Sequence, residues 1–236
     1  MSMHRRDLFV AGAASGAALL LARPSLAAPN KKQGVAPGKH EPVPLGFKAS
    51  SLTGISDKMI SSHHDKNYAG AVKNLNKVEL DIAALKADAP GYLVAGLRDK
   101  ELTYFNSMVL HEHYFGNLGG NGKRSGALET RLGKDFGASA WEAQVRATAT
   151  ALGGGSGWVV LALSLHDGGL RVVGSGNHTQ TLAFGVPLLV LDMYEHSYAI
   201  DYGADHAAYI DAFFKNIAWE TVEARYDRAM KALSAL

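Results

Sequence analysis

Four side chains spread along this chain, His63, His111, Asp192 and His196, are of the types that hold a single transition-metal ion. Three imidazoles and one carboxylate suit iron or manganese in a redox site, whereas a structural zinc site more often contains thiolate. The last two lie in Leu191-Asp192-Met193-Tyr194-Glu195-His196, an apolar run that ends in a carboxylate with an imidazole four residues on. A carboxylate closing a buried strand is costly without a partner, and a metal removes that cost.

These side chains must be positioned by the elements around them. Residues from Ser56 to about 85 read as one long helix or two in close succession, with Ser56 as the cap and Ile55, Met59, Ile60, His63, Val72 and Leu75 at helical spacing. On such a helix His63 shares a face with Asn67 and Ala71, while His64 points elsewhere. Asp88-Ala89-Pro90-Gly91 breaks the chain. A second helix is predicted from about Lys100 to the Gly119-Gly120 stop, with Leu102, Phe105, Val109, Tyr114 and Phe115 as its buried residues. His111 and His113 are two apart on it, so only one can meet His63 across the hairpin. Periodicity leaves open which.

The second half reads as α+β. Helices are predicted at about 126–134 and 139–152. After the Gly153–Gly157 break come strands at 158–165, 170–173 and 186–191, with Asp167-Gly168-Gly169 as a hairpin turn. The tail from about His206 is helical. The expected fold is therefore a long antiparallel helical hairpin, residues 47–121, followed by an α+β domain, residues 122–236, whose small antiparallel sheet of about three strands is flanked by helices.

Composition narrows the function. The chain has 236 residues and is 47 % hydrophobic, which supports a real core and argues against disorder. The absence of cysteine excludes thiolate ligands and a disulfide scaffold. The formal charge is +2, but residues 1–27 carry three arginines and one aspartate, and without them basic and acidic residues balance. No basic, aromatic-rich stripe suggests nucleic acid as a partner. Arg5-Arg6 followed by an Ala/Gly/Leu run resembles a twin-arginine export signal over residues 1–27, with Ser25-Leu26-Ala27 as a cleavage site. The run is too short and too rich in glycine and alanine for a membrane anchor. A periplasmic location and a mature form outside the membrane are expected. Residues 28–46, rich in Pro, Gly and Lys, read as an extended linker.

Several motifs then arrive in a fixed order: Met59-Ile60-Ser61-Ser62-His63-His64-Asp65-Lys66, Asn74-Leu75-Asn76, Gly155-Ser156-Gly157-Trp158, Pro187-Leu188-Leu189, Asp192-Met193-Tyr194-Glu195-His196-Ser197-Tyr198 and Asn216-Ile217-Ala218-Trp219-Glu220. Over residues 40–236 this order resembles the iron/manganese superoxide dismutase family. The resemblance implies disproportionation of superoxide to dioxygen and hydrogen peroxide at a mononuclear centre with one iron or manganese ion per subunit. It places the metal ligands on His63, His111, Asp192 and His196, choosing His111 over His113 by its distance to Asn117-Leu118. His178 falls where the family has the glutamine or histidine that bonds the metal's solvent ligand, with Gln180 as the alternative. Trp158 and Phe115 would wall the pocket, and Tyr194 stands where the family often has tryptophan. Glu195 resembles the interface glutamate that reaches the partner subunit's ligand histidine, which implies a homodimer through the Glu195/His196 region.

Three positions depart from the family pattern. Asn67 and Ala71 stand where a gateway histidine and tyrosine are usual, and Ala199 where a tyrosine from the other subunit bonds that histidine. This coherent loss implies altered proton delivery, with Tyr68 or Tyr198 as partial replacements and Lys66 as a steering cation. It also supports an alternative function, a metal-binding, stress-associated protein of the same fold with weak or no dismutase activity. A non-haem iron oxygenase fits less well, because such sites usually present two histidines and one carboxylate.

Overall fold

Ser56 caps the first helix through its side chain, which accepts from the Met59 amide at 3.0 Å. In the computed structural model, which describes residues 34–124, 126–137 and 140–236, that helix is α1, Asp57–Ser62. The export signal at 1–27 lies outside the described residues. A π-helical turn, His63–Tyr68, follows α1 directly and leads into α2, Ala69–Ala83. The long helix is thus continuous in direction but widened by one turn of i→i+5 pairing.

Helix α3 runs from Gly91 to Gly116, nine residues earlier at its start than the sequence spacing predicts. Pro90 accounts for the difference. It sits outside the helix as the cap residue, where its missing N–H costs nothing, and its carbonyl accepts from Leu93 and Val94. The expected burial of Leu102 and Phe105 is also corrected: they are 48 % and 44 % exposed. Buried residues in α3 begin only at Ser107. Apolar spacing identifies a face but cannot say whether anything covers it.

The rest is α+β, as expected. Helices α4, Ala127–Phe136, and α5, Ala140–Leu152, precede a three-stranded antiparallel sheet of order β2-β1-β3. Its strands are β1, Trp158–Ser164, β2, Leu170–Ser175, and β3, Gly185–Asp192. The central strand β1 is buried at every position, which explains its unbroken apolar run. Helix α3 packs on β3, α5 on β1 and β2, and the last helix on β3. A 3₁₀ turn at Glu195–Ser197 leads to the short α6, Ala199–Tyr202, then α7, His206–Lys215, and α8, Trp219–Leu233. Among the described residues, no helix is long and apolar enough to cross a membrane.

Residues 38–43 lie along the first helical segment, held by polar side chains. The Asn76 amide both accepts from and donates to the His40 backbone, at 2.8 Å each way. Glu79 takes the Gly38 amide at 2.8 Å, and His64 Nε2 meets the Val43 carbonyl at 2.9 Å.

Candidate metal centre

Asp192 ends β3, and the 3₁₀ turn immediately after it swings His196 back beside it. His63 opens the π turn, and His111 lies in the last two turns of α3. One ligand atom from each of the four falls within 4.8 Å of all the others. His63 and Asp192 are fully buried and His111 is 2 % exposed, whereas the His196 side chain keeps 28 % of its surface.

The hydrogen bonds of these residues leave at least one ligand atom of each unused. Asp192 Oδ1 accepts from the Tyr194 amide at 2.8 Å, and its Oδ2 has no partner. His111 Nδ1 donates to the Ser107 carbonyl at 2.7 Å, which leaves Nε2 as the lone-pair nitrogen. Both ring nitrogens of His63 and Nε2 of His196 are likewise without partners. Asp192 Oδ2 stands 3.1 Å from His63 Nε2, 3.6 Å from His111 Nε2 and 3.4 Å from His196 Nε2, close but without hydrogen-bond geometry. Buried polar atoms are rarely left so, and four of them facing one point are explained by a cation between them. The residues present therefore fit a metal ion.

The electrostatics agree with that reading. Burial holds His63 below the usual imidazole range and pulls His111 down to about 3, so both are neutral lone-pair donors. Burial alone would push Asp192 up, but the imidazoles of His196 and His63 outweigh it and hold the carboxyl well below its usual range. Neutral imidazoles and an ionised carboxylate are the states that bind a metal.

Around the four lies an aromatic shell. Trp158 is fully buried, meets the His111 ring edge-on at 5.0 Å, and donates its indole N–H to His178 Nδ1 at 3.0 Å. His178 stacks on Tyr194 at 4.8 Å, and Tyr194 stacks in turn on His196 at 5.3 Å. Phe115 lies 4.9 Å from the His63 ring. Gln180 is turned away, its Oε1 taken by the Gly176 amide. Glu195 is exposed next to His196. His113 does not join the cluster and donates to the Val109 carbonyl instead.

Three further residues belong to this site and were not singled out for it by spacing. Tyr114 lies 5.1 Å from the His63 ring. The Tyr209 hydroxyl donates to the Asp192 carbonyl at 2.9 Å. Tyr68, weighed only as a substitute hydroxyl, is 1 % exposed and packs against His64, His111 and Phe115. Only their being large, buried and partly polar could have marked them. The departures behave differently: Asn67 is half-buried, Ala71 is buried and Ala199 is exposed.

Comparison with known proteins adds an independent line. Residues 124–225 match the family described as iron/manganese superoxide dismutases, C-terminal domain. The chain is 48 % identical over 194 residues to a protein named superoxide dismutase [Fe] of Cupriavidus metallidurans, covering 81 % of this chain and 98 % of that one. It is 37 % identical over 200 residues to superoxide dismutase [Fe] of Aquifex aeolicus, covering 80 % and 92 %. It is 32 % identical over 196 residues to superoxide dismutase [Mn] 1 of Halobacterium salinarum, covering 81 % and 96 %.

Proposed function

The chain belongs to the iron/manganese superoxide dismutase family, and on that premise we propose that it disproportionates superoxide to dioxygen and hydrogen peroxide, with one iron or manganese ion per subunit held by His63, His111, Asp192 and His196. The observation that carries this reading is the convergence of four buried, partnerless ligand atoms on one point.

Such an ion supplies the one-electron redox chemistry. The chain's own residues do the remaining work. Asp192 contributes a fixed negative charge and is held by the Tyr194 amide. His63 and His111, walled by Tyr114, Phe115 and Trp158, keep water from the inner side of the site. Peroxide formation consumes two protons, and His178 is placed to hold one. Its Nδ1 accepts from Trp158, so in the neutral ring the proton sits on Nε2. Burial holds His178 below the usual imidazole range, which favours that neutral form. Tyr194 stacks between His178 and His196 and keeps their planes parallel.

The test is a dismutation assay on metal-loaded protein beside Asp192→Ala. Rapid loss of superoxide by the wild type alone supports the reading, and equal rates for both contradict it. The missing gateway residues favour a second reading, a metal-binding, stress-associated protein with weak activity. A loaded wild type that binds its ion yet dismutates no faster than the variant would establish that alternative.

We infer a homodimer through the Glu195/His196 region, supported by the exposure of Glu195, the partial exposure of His196 and the 46 % exposure of Ile200. Sedimentation equilibrium of the wild type and Glu195→Ala tests it: a dimer weakened by the variant supports it, and a wild-type monomer overturns it. Export to the periplasm is supported by Arg5-Arg6 and the apolar run that follows. Retention of an Arg5→Lys/Arg6→Lys variant in the cytoplasm is the expected result, and unchanged export would exclude the twin-arginine route.

A further inference from the structure

The π turn at His63–Tyr68 changes which side chain shares a face with the first ligand. In an α-helix the residue above His63 would be Asn67, four positions on. The wider π turn brings Tyr68 round toward that face as well, and burial shows which of the two turns inward: His63 and Tyr68 are buried while Asn67 is only half-buried. Tyr68 therefore faces α3, which carries the second ligand. Its hydroxyl donates to Glu112 Oε1 at 3.1 Å and accepts from the Val43 amide at 2.7 Å. Glu112 is the residue next to His111.

We propose that Tyr68 and Glu112 are positioning residues that brace the two ligand-bearing helices and so fix the separation of His63 and His111; this rests on the metal-site reading above. Each member of the brace is covalently close to one ligand. The Tyr68 ring also lies 6.0 Å from the His111 ring and 31° from its plane, on top of the hydrogen bond that its hydroxyl makes beyond. His111 is fixed in rotation by its bond to the Ser107 carbonyl and met edge-on by Trp158. The brace supplies what those contacts lack, a polar tie from His111's own helix to the segment that holds His63. The Val43 amide donates to a lone pair of the hydroxyl, and the phenol proton goes to Glu112. Burial pushes the Tyr68 hydroxyl above its usual range, which keeps it a donor throughout the neutral range.

The test uses the full chain and manganous ion, with affinity measured by chelator competition and the ligand field by the electron paramagnetic resonance spectrum of the bound ion. Tyr68→Phe keeps the ring and loses the brace. Glu112→Leu loses the acceptor, and Glu112→Gln keeps it. Tyr68→Phe and Glu112→Leu are each expected to weaken binding by about tenfold and to change the zero-field splitting, the scale of effect known for groups that orient metal ligands. The double variant should be no worse than either single one, because both remove the same bond. Glu112→Gln should stay within about twofold of wild type, as should Asn76→Ala, which unhooks the 38–43 segment at His40 without touching the brace. Wild-type affinity and spectrum in Tyr68→Phe or Glu112→Leu would overturn the proposal. So would an equal loss in Asn76→Ala, which would assign the effect to the N-terminal segment. Should Tyr68→Phe fail to fold, the Glu112→Leu and Glu112→Gln pair decides alone. A wild type that binds no manganese would instead sink the metal-site reading, a distinct outcome.

Discussion

Trp158 and Asp192 are direct partners across the β1–β3 ladder. One begins the central strand and the other ends its neighbour, so a single strand register sets both the indole against His111 and the carboxylate among the imidazoles. A slip of one residue between the strands would put the two side chains on opposite faces. The small sheet is in this sense the jig on which the metal centre is assembled, and the helical hairpin brings His63 and His111 to it.

The indole N–H of Trp158 is the group that decides where the His178 proton sits. Trp158→Phe keeps an aromatic wall but leaves His178 Nδ1 without its donor. Metal content should be retained while turnover falls by about 10–100-fold, measured by stopped-flow decay of superoxide. Loss of metal together with activity would show that the indole acts through packing and not through His178.

Metal removal should lower stability, because the unfolded chain does not present the four groups together. At a free metal concentration about 100 times the dissociation constant the ion adds about 2.7 kcal/mol. For a chain of this size that corresponds to a rise of about 5–10 °C in the melting temperature. Thermal unfolding followed by circular dichroism, with and without chelator, measures it.

Restoring the family's usual tyrosine at the mouth should fail. Ala71 is 6 % exposed, so the larger side chain has no open space to enter. Ala71→Tyr is expected to destabilise the fold by about 1–3 kcal/mol through overpacking, seen as a lowered urea midpoint with an unchanged slope. A variant of wild-type stability with faster turnover would mean that the mouth is more open than its burial indicates.

Gly157 precedes Trp158 with φ +146°, and a Cβ there would collide with the Ser175 carbonyl oxygen. Its own carbonyl accepts from Met193 at 2.9 Å, next to Asp192. Gly157→Ala should cost about 1–3 kcal/mol from backbone conformation, with further loss from the close approach. Because it shifts the start of β1, it should also reduce metal content, whereas Gly155→Ala, at a position with ordinary contact distances, should do neither.

Much of the architecture could be read from the chain because local signals agreed with the tertiary outcome. Ser56 caps where it should, the apolar runs at 158–165 and 186–191 are strands, and glycines separate them. The spacing of Asp192 and His196 placed both at one strand end, and family order supplied His63 and His111. What escaped has identifiable causes. A π turn leaves no mark in residue types, so α-helical spacing puts Asn67 on the His63 face and gives no sign that Tyr68 is buried there. Pro90-Gly91 signals a break equally well as the end of one segment or the cap of the next. Leu102 and Phe105 carry the spacing of a buried face, but burial depends on a neighbour that their own sequence does not encode. The hydrogen bonds of Val43, Tyr68 and Glu112 join positions 25 and 44 residues apart, beyond any local pattern.

The central claim is that distant parts of the chain grip one ion. Elemental analysis of wild type and Asp192→Ala, produced and purified side by side, tests it most directly. About one iron or manganese atom per wild-type chain and close to none in the variant is the predicted result. A wild type devoid of both metals after loading, or an Asp192→Ala protein carrying as much as the wild type, would contradict it.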